Sequence, residues 1–288
     1  MRSFVDNRVD PIIYKSINID TPYFSERMKP PERYANFVQE LSLHYFSAQQ
    51  RIHIASLCTR VTKLQITHSP CFDWSVEPHP LDTDIGGFRP RHLTTDINFV
   101  YHLPPNSNCD IIAPKRSLES PEFHRPLYSN VTHLCLLARP GSYTSLYCAG
   151  LSNLPKLTHL AVEVFKPSRR TPLYGTQVLR PHTSRILSDC KLLELLLIQV
   201  DHVDVLNEYN ETTHTIKTLK DPRVVVIIKR LPTRRNTGEA IQKVWPYAEA
   251  HAKVRKWGDL RTSICEVSHA IPSLSSTLGP FTLYQLPI

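Results

Sequence analysis

Residues 154–162 read LPKLTHLAV. Leu157, Leu160 and Val162 set out a pattern: an apolar residue, two variable positions, a leucine, one variable position and an aliphatic residue. The same pattern runs through FVQELSL at 37–43, CTRVTKLQI at 58–66, NVTHLCL at 130–136 and CKLLELLL at 190–197. Side chains alternate across a β-strand, so the leucine and the aliphatic residue two positions later share one face. A short strand of this kind cannot bury that face alone. Stacked in register, such strands form a parallel sheet along one side of a solenoid, each repeat packing only on its neighbours.

The anchoring leucines are Leu41, Leu64, Leu134, Leu160 and Leu195, separated by 23, 70, 26 and 35 residues. Leucine-rich repeats recur about every 20 to 29 residues. The expected class is therefore α/β: a leucine-rich-repeat-like solenoid with a short-stranded parallel sheet, irregular repeats and a long Pro-rich insertion. The insertion is placed at 67–129, which holds nine prolines between Pro70 and Pro126, with a degraded repeat at 97–103 (INFVYHL). Loops this long are functional or mobile. The whole chain has 24 prolines against 8 glycines, which suits many short elements joined by stiff connectors. Helical stretches are expected at 49–57 and 182–188, and a further strand at 223–228 after Asp221-Pro222. Residues 240–256 read as an exposed helix rich in Ala, Glu and Lys, interrupted by Pro246. From Ser263 onward no period is visible. The expected organisation is a segment 1–20, a repeat domain 21–262 and a tail or cap 263–288.

In this alignment the variable position before each leucine lies on the opposite, exposed sheet face. It carries Glu40, Lys63, His133, His159 and Glu194, and the next column carries Ser42, Gln65, Cys135, Ala161 and Leu196. His133 and His159, on adjacent repeats, should stack about one strand spacing apart, ~4.8 Å. Glu40, Lys63, Gln65, His133, Cys135, His159 and Glu194 form the candidate partner-binding face, a mixed-charge concave surface.

Composition narrows the function classes. The chain of 288 residues carries 34 basic and 26 acidic residues, a net charge of +8, which favours acidic partners. Nucleic acid is thus the alternative partner, with Lys166, Arg169, Arg170, Arg230, Arg234 and Arg235 as the residues whose placement decides it. No apolar run approaches the roughly 18 residues of a membrane span, and no secretory leader is visible. A cytoplasmic or nuclear monomer is expected. The seven cysteines have irregular spacings, and several sit in apolar runs, as buried free thiols do. Phosphate-cradling, nucleophile-elbow and H-E-x-x-H motifs are absent. His68, Cys71 and His79 share one loop but lack a fourth ligand with the right spacing. No catalytic residue, cofactor or metal is expected.

The order of several segments resembles the fungal F-box-like leucine-rich-repeat proteins. The matching pieces are VDPIIYKSI at 9–17, VTHLCL at 131–136, LPKLTHLAV at 154–162, ILSDCKLLELLLI at 186–198, DPRVVVI at 221–227 and WPYAEAHAKVRKWGDL at 245–260. The resemblance implies a non-enzymatic protein-interaction scaffold, the substrate-recognition part of a ubiquitin-ligase receptor. In that family an F-box of about 40 residues, which holds the ligase adaptor, comes first. Here residues 1–20 match only the segment just after the F-box, so adaptor docking is not implied.

Overall fold

A computed structural model describes residues 15–19, 35–44, 54, 57–67, 88–96, 100, 123, 125–137, 150–164, 183–201, 221–229, 245–246, 248–250, 252–253 and 264–267. Among these described residues nine strands form one all-parallel sheet in which each pairs with the next in sequence. They are β1 (Ser16–Ile19), β2 (Glu40–His44), β3 (Lys63–Thr67), β4 (His92–Asp96), β5 (His133–Leu137), β6 (His159–Val164), β7 (Leu195–Asp201), β8 (Val224–Lys229) and β9 (Ile264–Val267). A helix α1 occupies 183–189, and 3₁₀ turns occupy Pro126–Tyr128 and Leu151–Asn153. Gly150, which precedes the second turn, has φ 82°, a conformation that a Cβ would disfavour.

Four of the strands are preceded by the same piece of backbone. Val38, Val131, Leu157 and Leu193 donate their N–H to the carbonyls of Ala35, Tyr128, Leu154 and Cys190 respectively. Three residues after the donor the first strand leucine follows, and two later the second core residue. Cys58, Val61, Leu64 and Ile66 keep this spacing, and so do Cys190, Leu193, Leu196 and Ile198. All eight are buried. At each step from β2 to β7 one carbonyl then accepts two successive N–H groups. Thr132 O takes those of Thr158 and His159, and Thr158 O those of Glu194 and Leu195. This shared carbonyl sets the register of each of these strands against its predecessor.

The register stacks Ile17, Leu41, Leu64, Leu93, Leu134, Leu160, Leu196 and Val224 into one column. Leu43, Ile66, Thr95, Leu136, Val162 and Ile198 form a second. The main core sits on this face. Each fully buried aliphatic side chain contributes about 1.5–3 kcal/mol, so the two columns supply much of the cohesion between repeats. Tyr128 and Phe123 meet edge to face beneath it, with ring centroids 5.1 Å apart. Cys58 and Cys190 are buried free thiols, and burial pushes both up to about 11. They act as small apolar residues.

Several expectations change. A strand inside 67–129, β4, stands at His92–Asp96; of the stretch 97–103, expected as a degraded repeat, only Val100 is among the described residues, and it is helical. Thr95 stands where the other repeats have an aliphatic residue, so the pattern did not reveal β4. In β7 the expected alignment is off by one residue: Leu160 pairs with Leu196, and His159 with Leu195. Glu194 is therefore equivalent to Thr158 and lies outside the histidine column. Ser16–Ile19, inside the segment 1–20, is the sheet's first strand, and Ile264–Val267, inside 263–288, is its last. Residues 49–57 are described only at Ile54 and Leu57.

Candidate functional site

The face opposite the main core changes character from one end of the sheet to the other. Its first column runs Ser16, Glu40, Lys63, His92, His133, His159 and Leu195. Its second runs Ser42, Gln65, Thr94, Cys135, Ala161, Leu197 and Val225. The β2–β3 end is polar and the β5–β8 end is apolar.

A helix covers the apolar end. Residues 245, 246, 248–250, 252 and 253 are helical and are designated α2. Trp245 and Ala248 are 5% and 1% exposed. With Ala252 they pack on Cys135, Leu137, Ala161, Leu195, Leu197 and Val225. Positions 245, 248 and 252 fall on one helical face. Cys135 and Ala161 are small, which lets the helix approach the sheet. The stretch expected to be an exposed helix is thus a cover, and Pro246 is itself helical.

The three histidines form a ladder at the edge of this cover. The rings of His92 and His133 are stacked with centroids 4.1 Å apart and planes 17° apart. Those of His133 and His159 are 4.1 Å and 11° apart. Parallel register repeats the same side-chain geometry strand after strand, and the planar rings close to contact. Trp245 meets both His133 and His159 edge to face, at 5.4 and 5.8 Å. Glu249, one helical turn beyond Trp245, brings Oε1 to 3.9 Å from His133 Nε2 and 3.7 Å from His159 Nε2. Both separations exceed hydrogen-bonding range.

The other ring nitrogens are held. His133 Nδ1 lies 2.9 Å from Thr132 Oγ1, and His159 Nδ1 lies 2.8 Å from Thr158 Oγ1. The threonine hydroxyls lie within donating distance of the Arg91 and Thr132 carbonyls, 3.2 Å in each case. In the Nδ1–H tautomer each ring donates to the hydroxyl and the hydroxyl to the carbonyl, and Nε2 is then the acceptor that faces Glu249. The ladder is held neutral. Burial, then the neighbouring His159 and His92, brings His133 down to about 3. Burial and the charge of Lys63 lower His92. Burial lowers His159 too, against the opposing pull of Glu249 and Glu194.

Of the expected face residues, Glu40 and Lys63 are half-exposed and paired at 2.7 Å. Gln65 and Cys135 are buried, at 6% and 2% exposure, and His159 nearly so. Glu194 is exposed but stands before β7. The expected stacking of His133 on His159 is present. Sequence reasoning missed His92, because β4 was sought too late in the chain, and missed Trp245 and Glu249. A tryptophan four residues ahead of a glutamate in an alanine-rich helix was the available signal. His68, Cys71, His79 and the six cations Lys166, Arg169, Arg170, Arg230, Arg234 and Arg235 lie outside the described residues. A buried polar pair closes the far side of this face: Gln199 Nε2 donates to Glu163 Oε1 at 3.0 Å. Among the described residues no helix is long and apolar enough to cross a membrane.

Compared with models of known families, with curated proteins and with solved structures, the chain matches none.

Proposed function

We propose that this chain is a non-enzymatic protein-interaction scaffold: a leucine-rich-repeat-like solenoid of irregular repeats, with Pro-rich connections between them. The observation that carries the reading is the strand order, parallel strands each paired with its neighbour in sequence. Such stacking presents one continuous face to a partner. The more exposed part of that face is its β2–β3 end, where the half-exposed Glu40 and Lys63 stand side by side; Lys15 and Arg91, just ahead of β1 and β4, are exposed. Exposed charges of both signs serve orientation and on-rate more than raw affinity. The resemblance to F-box-like repeat proteins supports a substrate-recognition role. An intracellular partner protein is the reading, with nucleic acid as the alternative.

The test is affinity capture with the tagged chain at low and high salt, beside the double variant Glu40→Lys/Lys63→Glu. Swapping the two charges keeps the ion pair and reverses its direction. The scaffold reading expects a protein that survives high salt and is lost or weakened in the variant, with the circular dichroism unchanged. Co-purification of a cullin-ligase adaptor would extend the reading to ubiquitin ligation. Recovery of nucleic acid alone, removed by salt, would replace it with the alternative, because phosphate contacts release counterions.

A further inference from the structure

Two imidazole nitrogens and one carboxylate oxygen, from β5, β6 and α2, converge with all three ligand atoms within 4.8 Å of one another. We propose that His133, His159 and Glu249 bind a divalent transition-metal ion of the zinc class, which clips α2 to the sheet. Zinc bonds to imidazole nitrogen at about 2.0–2.1 Å and to carboxylate oxygen at about 2.0–2.2 Å. The Nε2 to Oε1 distances of 3.7 and 3.9 Å are too long for direct hydrogen bonds and short enough for two such bonds to span.

The surroundings suit a metal in three respects. Thr132 and Thr158 hold the Nδ1 atoms, the outer support that ligating histidines need to present Nε2 in the right tautomer. The side chains of His133 and His159 are 18% and 11% exposed, while that of Glu249 is 37% exposed. The nitrogens are shielded, then, and the carboxylate opens a path from solvent. Trp245 closes the adjoining side of both rings. Three protein ligands leave a fourth position for water, as in open zinc sites. Stacked rings direct their lone pairs side by side, so coordination by both requires the rings to fan apart about χ2, a soft torsion. Binding therefore costs the stacking between His133 and His159, and the ion holds less tightly than in a preformed tetrahedral cage.

The experiment uses the full chain, stripped with chelator, and Zn²⁺ or Co²⁺ as the probe. Glu249→Gln is the decisive variant, because Glu249 is part-exposed and its loss leaves the fold in place. His159→Gln serves as the second. Equilibrium dialysis with metal analysis should show the wild type holding one more equivalent than Glu249→Gln, or holding that equivalent at least tenfold more tightly. Cobalt should give visible ligand-field bands in the wild type that weaken in both variants. Zinc should raise the melting temperature of the wild type more than that of Glu249→Gln. Equal stoichiometry and affinity in wild type and Glu249→Gln would overturn the proposal, and metal bound elsewhere cancels in the comparison. No binding to the wild type at micromolar metal would overturn it as well.

Discussion

Replacing Trp245 by alanine should detach α2 from the sheet without dissolving the main core. The indole is 5% exposed and packs with Cys135, Leu137, Ala161, Leu195, Leu197 and Val225. Truncating a buried tryptophan costs about 3–5 kcal/mol. If that loss falls on the local equilibrium that lifts the helix, the open population rises between about a hundredfold and a few thousandfold, at 1.4 kcal/mol per factor of ten. Cys135, 2% exposed beneath the helix, reports that opening. Cys58 and Cys190 belong to the opposite core and report only global unfolding. The assay is thiol labelling of the native chain, with each cysteine quantified by peptide mass spectrometry. Cys135 should label faster in Trp245→Ala by at least a hundredfold, with a much smaller change at Cys58 and Cys190. Equal acceleration at all three thiols would mean that the two faces unfold as one unit. No acceleration at Cys135 would mean that the helix is not its cover.

Two further outcomes are expected from the ladder and the columns. With metal removed by chelator, unfolding free energy should be level above about pH 7 and should fall as the pH drops below 6.5, the ordinary histidine value. His133 stays neutral in the fold down to about 3, so the unfolded chain binds more protons across that window. At pH 5 this site alone costs about 1 kcal/mol after allowance for solvent screening, and between pH 7 and pH 5 the unfolding free energy from urea titrations should fall by about that much more in wild type than in His133→Gln. Leu160→Ala, at a fully buried position, should cost about 2–5 kcal/mol. Leu192→Ala, 61% exposed, should change stability by less than about 0.5 kcal/mol, although both residues belong to leucine-rich runs.

The contrast between Leu160 and Leu192 shows where sequence reading succeeds. In LPKLTHLAV the polar Thr158 and His159 interrupt the leucines and mark which residues face the core. In CKLLELLLI the residues at 192, 193 and 195–198 are all apolar, so alternation no longer distinguishes the faces. The cause is α2: strands buried on both sides become near-continuous apolar runs. The register signal then survives in the turn before the strand, where Cys190, Leu193 and Leu196 repeat the three-residue spacing of Cys58, Val61 and Leu64. Reading forward from the cysteine gives the observed register, and reading the leucine run alone misses it by one residue. HLTTD failed for the opposite reason. Thr95 puts a hydroxyl in the aliphatic column, where Thr95 Oγ1 has no hydrogen-bond partner among the described residues, so a more apolar neighbour looked like the better strand.

The same covering helix divides the candidate site. Toward β7 the second face is apolar, and its residues are spent on holding α2. Toward β2 it is polar, with Glu40 and Lys63 half-exposed and Gln65 buried. The histidines stand between, flat enough to stack, polar enough to face Glu249 and neutral enough to be buried. A charged residue at His133 or His159 would need a counterion under Trp245, and an aliphatic one would leave Glu249 facing hydrocarbon at the rim of the helix. Imidazole meets both demands, which accounts for histidine at these two positions, and His92 extends the stack on the other side of His133.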